Sequence, residues 1–156
     1  MPDTANPNMH AWIATLSKVA GIIDSKTFFV GHSIGCQTIL RYLAHVPNQG
    51  VAGGVLLVAP WTKLKPESYE KPEDYAIARP WLEMPIPWDM AKAHAKKFVC
   101  LFSDNDYFVF VDDSKNFKEK LGAEIIVEQN KGHYTTADGC ERVPSILELV
   151  KKIMKG

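Results

Sequence analysis

The sequence lacks an excess of charge of either sign, and it has no long apolar run. Lysine and arginine together number 18, as do aspartate and glutamate, so the 156-residue chain has a formal net charge of zero. A balanced chain offers no basic surface to nucleic acid or to an anionic membrane, and we expect neither as a partner. No apolar stretch approaches the roughly 20 residues that span a bilayer.

Cysteine is also scarce. The three cysteines, Cys36, Cys100 and Cys140, are scattered along the chain, which is typical of free thiols in a reducing compartment. No pair of cysteines or histidines has the spacing of a metal site, so we expect no metal and no other cofactor. Residues 1–7 have neither the charged nor the apolar region of a signal peptide. These absences favour a cytoplasmic protein.

Apolar runs and helical patterns alternate along the chain. Four runs are predicted to be strands, at 26–30, 51–59, 98–102 and 123–127, and the first three have the character of buried strands. Helical spacing of apolar residues occurs at 9–20, from the residues after Ser33 to about His45, at 89–95, between Asp112 or Asp113 and Gly122, and at about 143–154. This alternation predicts a single domain over residues 1–156, with a three-layer α/β/α fold and a mostly parallel sheet of about four strands.

Two stretches have the composition of loops. Residues 47–50 have turn chemistry, and six prolines fall between Pro60 and Pro87. We expect a proline-rich irregular insert at about 60–88. Its aromatic side chains either line an acyl pocket, with Trp61 and Trp81 as candidate substrate contacts together with His32, or simply pack the loop against the core.

The most informative stretch is 31–35, which has the pattern Gly-x-Ser-x-Gly around Ser33. It follows an apolar strand and precedes a helical pattern, and this is the context of a nucleophile elbow, a sharp turn that exposes a serine hydroxyl. Such a turn crowds its neighbours, so we expect Gly31 and Gly35 to let the strand and the helix approach each other. The alternative is an ordinary loop whose serine only caps the helix.

Chemically useful residues lie directly after three of the predicted strands: Ser33, the pair Asp104 and Asp106, and His133. In a parallel sheet, residues at the carboxyl ends of the strands collect at one edge. A serine hydroxyl needs a base to take its proton, and a carboxylate can orient a histidine that serves as this base. The order serine, acid, histidine is that of α/β-hydrolases. Chance order is the alternative, and residue type does not separate Asp104 from Asp106.

The elbow and four further segments resemble the small serine-hydrolase family of retinoblastoma-binding protein 9, in the same order along the chain. These segments are residues 87–89, 103–109, 120–124 and 131–134. The resemblance implies an α/β-hydrolase fold with a reduced lid and a catalytic triad of Ser33, Asp106 and His133. Family members often have Asp-Pro and Phe-Asn where this chain has Asp106-Tyr107 and Tyr134-Thr135.

The resemblance also predicts an earlier segment. Family members begin with a strand, a glycine-rich loop that donates an oxyanion-hole N–H, a helix and a second strand, and residues 1–3 resemble the segment just after that second strand. We therefore expect this chain to begin about forty residues later than family members do. The backbone N–H of Ile34 is the expected first oxyanion donor, and the sequence identifies no second donor.

The sequence leaves two functions open. The first is a serine hydrolase of the carboxylesterase kind, which cleaves ester, thioester or similar acyl bonds in a small-molecule substrate. The second is a catalytically weak or inert interaction protein with a hydrolase fold, because loss of one oxyanion donor lowers a rate by about 10²–10³. If no strand precedes the elbow strand, its edge is unpaired, and we also expect self-association there.

Overall fold

The structure, a computed structural model, describes residues 1–46, 50–69 and 71–155. The turn predicted at 47–50 falls mostly on residues 47–49, which lie outside the described residues. The helices are α1 (Met9–Ala20), α2 (Ile34–Leu43), α3 (Pro72–Glu83), α4 (Trp88–Ala93), α5 (Ser114–Leu121) and α6 (Pro144–Lys155). The strands are β1 (Phe28–His32), β2 (Gly54–Val58), β3 (Phe98–Ser103) and β4 (Glu124–Glu128).

The four strands form one parallel sheet in the order β1-β2-β3-β4. The register places Val30 beside Leu56, Leu57 beside Cys100, and Leu101 beside Ile126. The predicted α/β fold with a parallel sheet is confirmed. Because all strands run in the same direction, the segments that come after β1, β3 and β4 meet at one edge of the sheet.

The two central strands bury both of their faces. Alternate side chains of β2 and β3 lie in two apolar clusters, one on each face of the sheet. One cluster includes Val55, Leu57, Cys100 and Phe102 and is covered by α1, α2, α4 and α5. The other includes Leu56, Val58, Val99 and Leu101 and is covered by α6. Burial on both faces explains the continuous apolar runs, and it gives the predicted three layers.

The prediction of irregular structure at 60–88 is wrong for α3, a helix of 12 residues. Its first residue is Pro72, where proline is well tolerated, because the missing N–H has no helical partner there anyway. The carboxylate of Asp74 accepts a hydrogen bond from the backbone N–H of Lys71 at 3.1 Å and supports this end. Pro80 lies inside the helix, next to the buried side chain of Trp81. Tertiary packing thus overrides the low helical propensity of proline.

Smaller corrections concern the ends of elements. The elbow strand extends from Phe28 to His32, two residues later than predicted. Helix α5 ends at Gly122, which has a φ of 68°, as predicted. Asp113 does not cap this helix with its side chain, because its carboxylate accepts hydrogen bonds from Thr62 and Asn116 instead. Among the described residues, no helix combines the length and the apolar character needed to cross a bilayer.

Candidate active site

Ser33 lies at a sharp turn between β1 and α2. Its φ of 50° and ψ of −118° are a conformation that a residue with a side chain rarely adopts, at a cost of about 1–3 kcal/mol. The backbone N–H of Ser33 donates to the carbonyl oxygen of Val58 at 2.9 Å, which fixes the turn to β2. The side chain of Ser33 makes no capping hydrogen bond to α2. This geometry favours the nucleophile elbow over the helix-cap interpretation.

The two glycines of the elbow differ in their surroundings. A Cβ atom on Gly31 would lie 2.7 Å from Cδ1 of Ile39 and 3.0 Å from the backbone nitrogen of Cys36. A Cβ atom on Gly35 would meet nothing within 4 Å. The expectation that both glycines let the strand and the helix approach holds for Gly31 only.

Asp106 and His133 form a buried pair. Nδ1 of His133 and Oδ2 of Asp106 are 2.8 Å apart, and the two residues are only 5% and 2% exposed. The other carboxylate oxygen, Oδ1, accepts from the backbone N–H groups of Phe108 and Val109 at 2.8 and 2.9 Å. Both oxygens of Asp106 are therefore fixed, and the carboxylate holds the imidazole in one orientation.

Asp104 lies in a different environment from Asp106 and has a different hydrogen-bond partner. Its Oδ1 accepts from the backbone N–H of Asn130 at 2.8 Å, at an exposed position. Two neighbours act in the same way, since Oγ of Ser103 accepts from the N–H of Lys131 and Oδ1 of Asn105 accepts from that of Gly132. The turn after β3 thus holds the loop that carries His133, and Asp106 alone of the two carboxylates contacts the ring.

Asp138 holds the same loop from its other side. Its Oδ2 accepts from the backbone N–H of His133 at 3.0 Å and from the N–H and hydroxyl of Thr135 at 3.0 and 2.7 Å. Burial opposes ionisation of this carboxyl, but these hydrogen bonds outweigh it and lower the pKa of Asp138. A Cβ atom on Gly132, which has a φ of 53°, would collide with the Asp138 carboxylate. The loop therefore requires glycine at this position.

His32 joins the elbow to the histidine loop. Its Nε2 donates to the carbonyl oxygen of His133 at 2.7 Å, and the two imidazole rings lie 4.9 Å apart. Partial desolvation is the main cause that lowers the pKa of His32, although the residue as a whole is exposed. Because this N–H is already occupied, His32 acts on the loop, and the structure offers no support for its expected role as a substrate contact.

The Ser33 hydroxyl has a partner that the sequence did not indicate. Nε1 of Trp61 donates to Oγ of Ser33 at 3.3 Å. Among the hydrogen bonds of the described residues, none joins Ser33 to His133. The structure thus brings Ser33, Asp106 and His133 to one edge of the sheet. Asp106 and His133 are hydrogen-bonded to each other, whereas His133 and Ser33 are not.

The two tryptophans that were expected as substrate contacts lie in different places. Trp61 is beside Ser33. Trp81 is buried in the core, where its ring packs edge-on against Trp12 and its Nε1 donates to the carbonyl oxygen of Pro7. The expectation of substrate contact at Trp81 is therefore not supported by its surroundings, which are those of a packing residue.

Two further groups complete the site. Ile34 is the first residue of α2, so its backbone N–H has no acceptor within the helix. It can therefore donate a hydrogen bond to an anion at the elbow. Cys36 is buried one turn further on, where its thiol donates to the carbonyl oxygen of Val58 and burial raises its pKa well above the ordinary value. This thiol is not an alternative nucleophile. No group of three potential metal ligands occurs within the described residues.

Comparison with known proteins identifies the family. A family model described as serine hydrolase matches residues 1–152. The chain belongs to the serine hydrolase family. Together with the α/β fold, this membership supports a hydrolase function.

Two relatives and two solved structures are similar along nearly the whole chain. YdeN from Bacillus subtilis is 25% identical over 150 residues, which are 96% of this chain and 75% of that protein. The serine hydrolase RBBP9 from Rattus norvegicus is 23% identical over 154 residues, 99% of this chain and 75% of that protein. The crystal structure of YdeN has a TM-score of 0.88 and 24% identity, covering 100% of this chain and 80% of that one. A carboxylesterase structure from Nitrososphaera gargenis has a TM-score of 0.68 and 18% identity, covering 99% and 75% of the two chains.

Several residues of the site could not be found from the sequence. Asp138, Asn105 and Ser103 carry no motif of their own, although turn-forming residues directly after a strand or near a candidate histidine are a weak signal. The contact of Trp61 with Ser33 joins residues 28 positions apart, and nothing in local spacing could have indicated it.

Proposed function

We propose that this serine hydrolase cleaves ester or thioester-type acyl bonds through an acyl-enzyme on Ser33. His133 is the general base and then the general acid, and Asp106 orients it. The observation that carries the proposal is the buried pair of Asp106 Oδ2 and His133 Nδ1 at 2.8 Å, on a loop that His32 ties directly to the elbow.

The Asp106–His133 pair determines which nitrogen is the base. With Nδ1 donating to a carboxylate, the neutral imidazole has its free lone pair on Nε2. That nitrogen takes the proton of Ser33 as Oγ forms a bond to the acyl carbon. The imidazolium that results is stabilised by Asp106, which stays ionised.

The remaining steps use the same groups. The carbonyl oxygen becomes an oxyanion, and the backbone N–H of Ile34 donates to it. The tetrahedral intermediate collapses, the bond to the alcohol or thiol leaving group breaks, and His133 Nε2 gives that group its proton. Water then attacks the acyl carbon as Nε2 of His133 takes its proton. The bond between the acyl carbon and Oγ breaks, Nε2 returns the proton to Oγ, and the acid leaves a free Ser33.

One observation favours the second candidate function, that of a weak or inert interaction protein with this fold. The Ser33 hydroxyl is bonded to Trp61 at 3.3 Å instead of to His133. An isolated serine hydroxyl is a poor nucleophile. However, rotation of one hydroxyl-bearing side chain is fast, and hydrogen bonds between catalytic groups often tighten only when substrate is bound. We therefore favour the active enzyme.

A fluorophosphonate probe separates the two functions, because only an activated serine reacts with it quickly. We expect rapid labelling of the wild-type chain and none of Ser33→Ala. Ser25→Ala is the matched control, since Ser25 is exposed and outside the site, and it should label like the wild type. Labelling that persists in Ser33→Ala, or its absence from the folded wild type, would contradict the proposal.

A further inference from the structure

The indole of Trp61 presents a single polar group to the nucleophile. The residue is 2% exposed, and its Nε1 lies 3.3 Å from Oγ of Ser33. An indole nitrogen can only donate a hydrogen bond, so the serine oxygen is the acceptor. The hydroxyl proton of Ser33 is not used by this bond and stays available for a base.

A buried network on α2 holds Trp61 in place. Nε2 of Gln37 donates to the carbonyl oxygen of Trp61 at 2.6 Å, and Arg41, one turn further along α2, donates to Oε1 of Gln37. Gln37 and Arg41 are 1% and 2% exposed. Because α2 begins directly after Ser33, the same helix positions both the nucleophile and the indole.

Arg41 is in turn held by carbonyl oxygens. Its Nη2 donates to those of Trp81 and Met84 at 3.0 and 2.6 Å, and no carboxylate pairs with its guanidinium among the described residues. Side chains that are this buried and this extensively hydrogen-bonded have little freedom to move. The Trp61 N–H is therefore a preorganised donor, which is what stabilisation of a developing charge requires.

We propose that the indole N–H of Trp61 is a catalytic donor, which stabilises the negative charge that forms at the tetrahedral centre on Ser33. It acts beside the backbone N–H of Ile34. This inference deepens the proposed function and rests on it. It also supplies a second donor, for which the sequence identified no residue.

The geometry explains how one donor serves both states. In the resting enzyme the N–H donates to Oγ. Once Oγ has bonded to the acyl carbon and lost its proton to His133, it becomes an ether-like oxygen and a weak acceptor. The oxyanion is attached to the acyl carbon that Oγ has bonded to. A small rotation of the Ser33 side chain therefore brings the oxyanion within reach of the indole N–H. A charged acceptor in a buried site forms the stronger hydrogen bond.

The simpler role for Trp61 is packing, and one substitution separates the two roles. Trp61→Phe removes the N–H and keeps most of the apolar ring. Trp12→Phe is the matched control, because Trp12 is also buried and its Nε1 donates to the carbonyl oxygen of Pro2, away from the site. Loss of one oxyanion donor lowers kcat by about 10²–10³.

The first experiment measures kcat and KM for a p-nitrophenyl ester and the rate of fluorophosphonate labelling, with circular dichroism as the check of folding. We expect a fall in kcat of about 10² for Trp61→Phe, with KM nearly unchanged and Trp12→Phe close to the wild type. A folded Trp61→Phe with kcat within about twofold of the wild type would overturn the inference. So would an equal loss in Trp12→Phe.

A second measurement uses only the wild-type protein and requires no substitution. The chain has four tryptophans, so the indole N–H signals of ¹⁵N-tryptophan-labelled protein are few. Phosphonylation of Ser33 places a phosphoryl oxygen where the oxyanion forms, and the Trp61 N–H signal should move downfield as it gains this acceptor. Phosphonylation that leaves the signal unmoved overturns this inference alone. Failure of the wild type to be phosphonylated overturns the proposed function as well.

Discussion

Nε2 of His32 donates a hydrogen bond to the carbonyl oxygen of His133 at 2.7 Å. This bond joins the residue before the candidate nucleophile to the residue that carries the candidate base. It links the last residue of β1 to the loop that comes after β4. The distance between serine and histidine therefore depends on a contact that uses neither of their side chains.

His32→Ala should lower kcat without unfolding the protein. A neutral hydrogen bond contributes about 1 kcal/mol, which corresponds to a fall in kcat of roughly fivefold. His32→Gln keeps an N–H donor and should retain more of the activity. Ester hydrolysis at saturating substrate measures both effects. Equal kcat for the wild type and His32→Ala would show that this bond does not position the base.

Substitution of the two carboxylates of the 103–106 turn, Asp104 and Asp106, should have very different effects on kcat. Asp106→Asn is expected to lower kcat by about 10³–10⁴, because an amide no longer favours the required tautomer of His133. The amide oxygen can still accept from Phe108 and Val109, so the fold should survive.

Asp104→Asn is the matched control for Asp106→Asn. Its amide oxygen can still accept from Asn130, as the carboxylate does, and kcat should stay within a few-fold of the wild type. The side-by-side assay decides between the two carboxylates. If Asp104→Asn proves the more damaging, with both variants folded, the wrong residue has been assigned.

The stability of the fold should fall as the pH drops below about 6.5. Partial desolvation lowers the pKa of His32 in the folded chain, whereas the unfolded chain has the ordinary value of about 6.5. The unfolded state then binds the proton more readily, so acid favours unfolding and the free energy of unfolding rises with pH through this range. Asp138 contributes nothing here, because its lowered pKa puts its titration at more acidic pH.

Urea unfolding between pH 5 and 8 (about the range in which histidine titrates) tests this dependence. The wild type should be compared with His32→Gln, in which residue 32 has no titratable group. The variant should show the weaker rise of unfolding free energy with pH. Parallel curves for the two proteins would mean that His32 does not contribute.

Replacement of the two elbow glycines by alanine should change the stability of the fold in different ways. Gly31→Ala places a methyl group 2.7 Å from Cδ1 of Ile39 and 3.0 Å from the backbone of α2, so it should destabilise the fold by about 1–3 kcal/mol. Gly35→Ala meets nothing within 4 Å and lies in a helix, where alanine is favoured by about 1 kcal/mol. Thermal unfolding compares them. Equal destabilisation by the two substitutions would contradict the structure of the elbow.

We propose that the chain self-associates through β1. This strand pairs with β2 on one side, and no strand of the described residues pairs with its other side. The side chain of Val30 on this strand is half exposed, and an unpaired apolar edge recruits other strands. Light scattering should show dimers or larger species at micromolar concentration, and Val30→Lys should reduce them. A wild-type chain that is monomeric over this range would remove the proposal.

The sequence predicted the two central strands well because burial on both faces leaves a simple pattern. The run at 51–59 is nearly continuously apolar, and β2 lies there with all five residues buried. Helix α3 was missed because Pro72 and Pro80 lower helical propensity, and the contacts of Trp81 that hold it come from distant parts of the chain.

The candidate site could be predicted only in part. The elbow and the strand ends placed Ser33 and His133 at one edge of the sheet, because topology dictates that arrangement. Residue type could not separate Asp104 from Asp106, since only the direction of each side chain distinguishes them. The donor at Trp61 depends on how α2 and the segment after β2 pack together, and no local pattern records that packing.

The most direct test of the central proposal is to trap the acyl-enzyme. The wild-type chain is mixed with a p-nitrophenyl ester, quenched in acid during turnover and analysed by mass spectrometry, with Ser33→Ala in parallel. We predict a mass increase equal to the acyl group, located on the peptide that contains Ser33, and no increase in the variant. Hydrolysis without an acylated Ser33 peptide, or with the acyl group on another residue, would contradict the proposal.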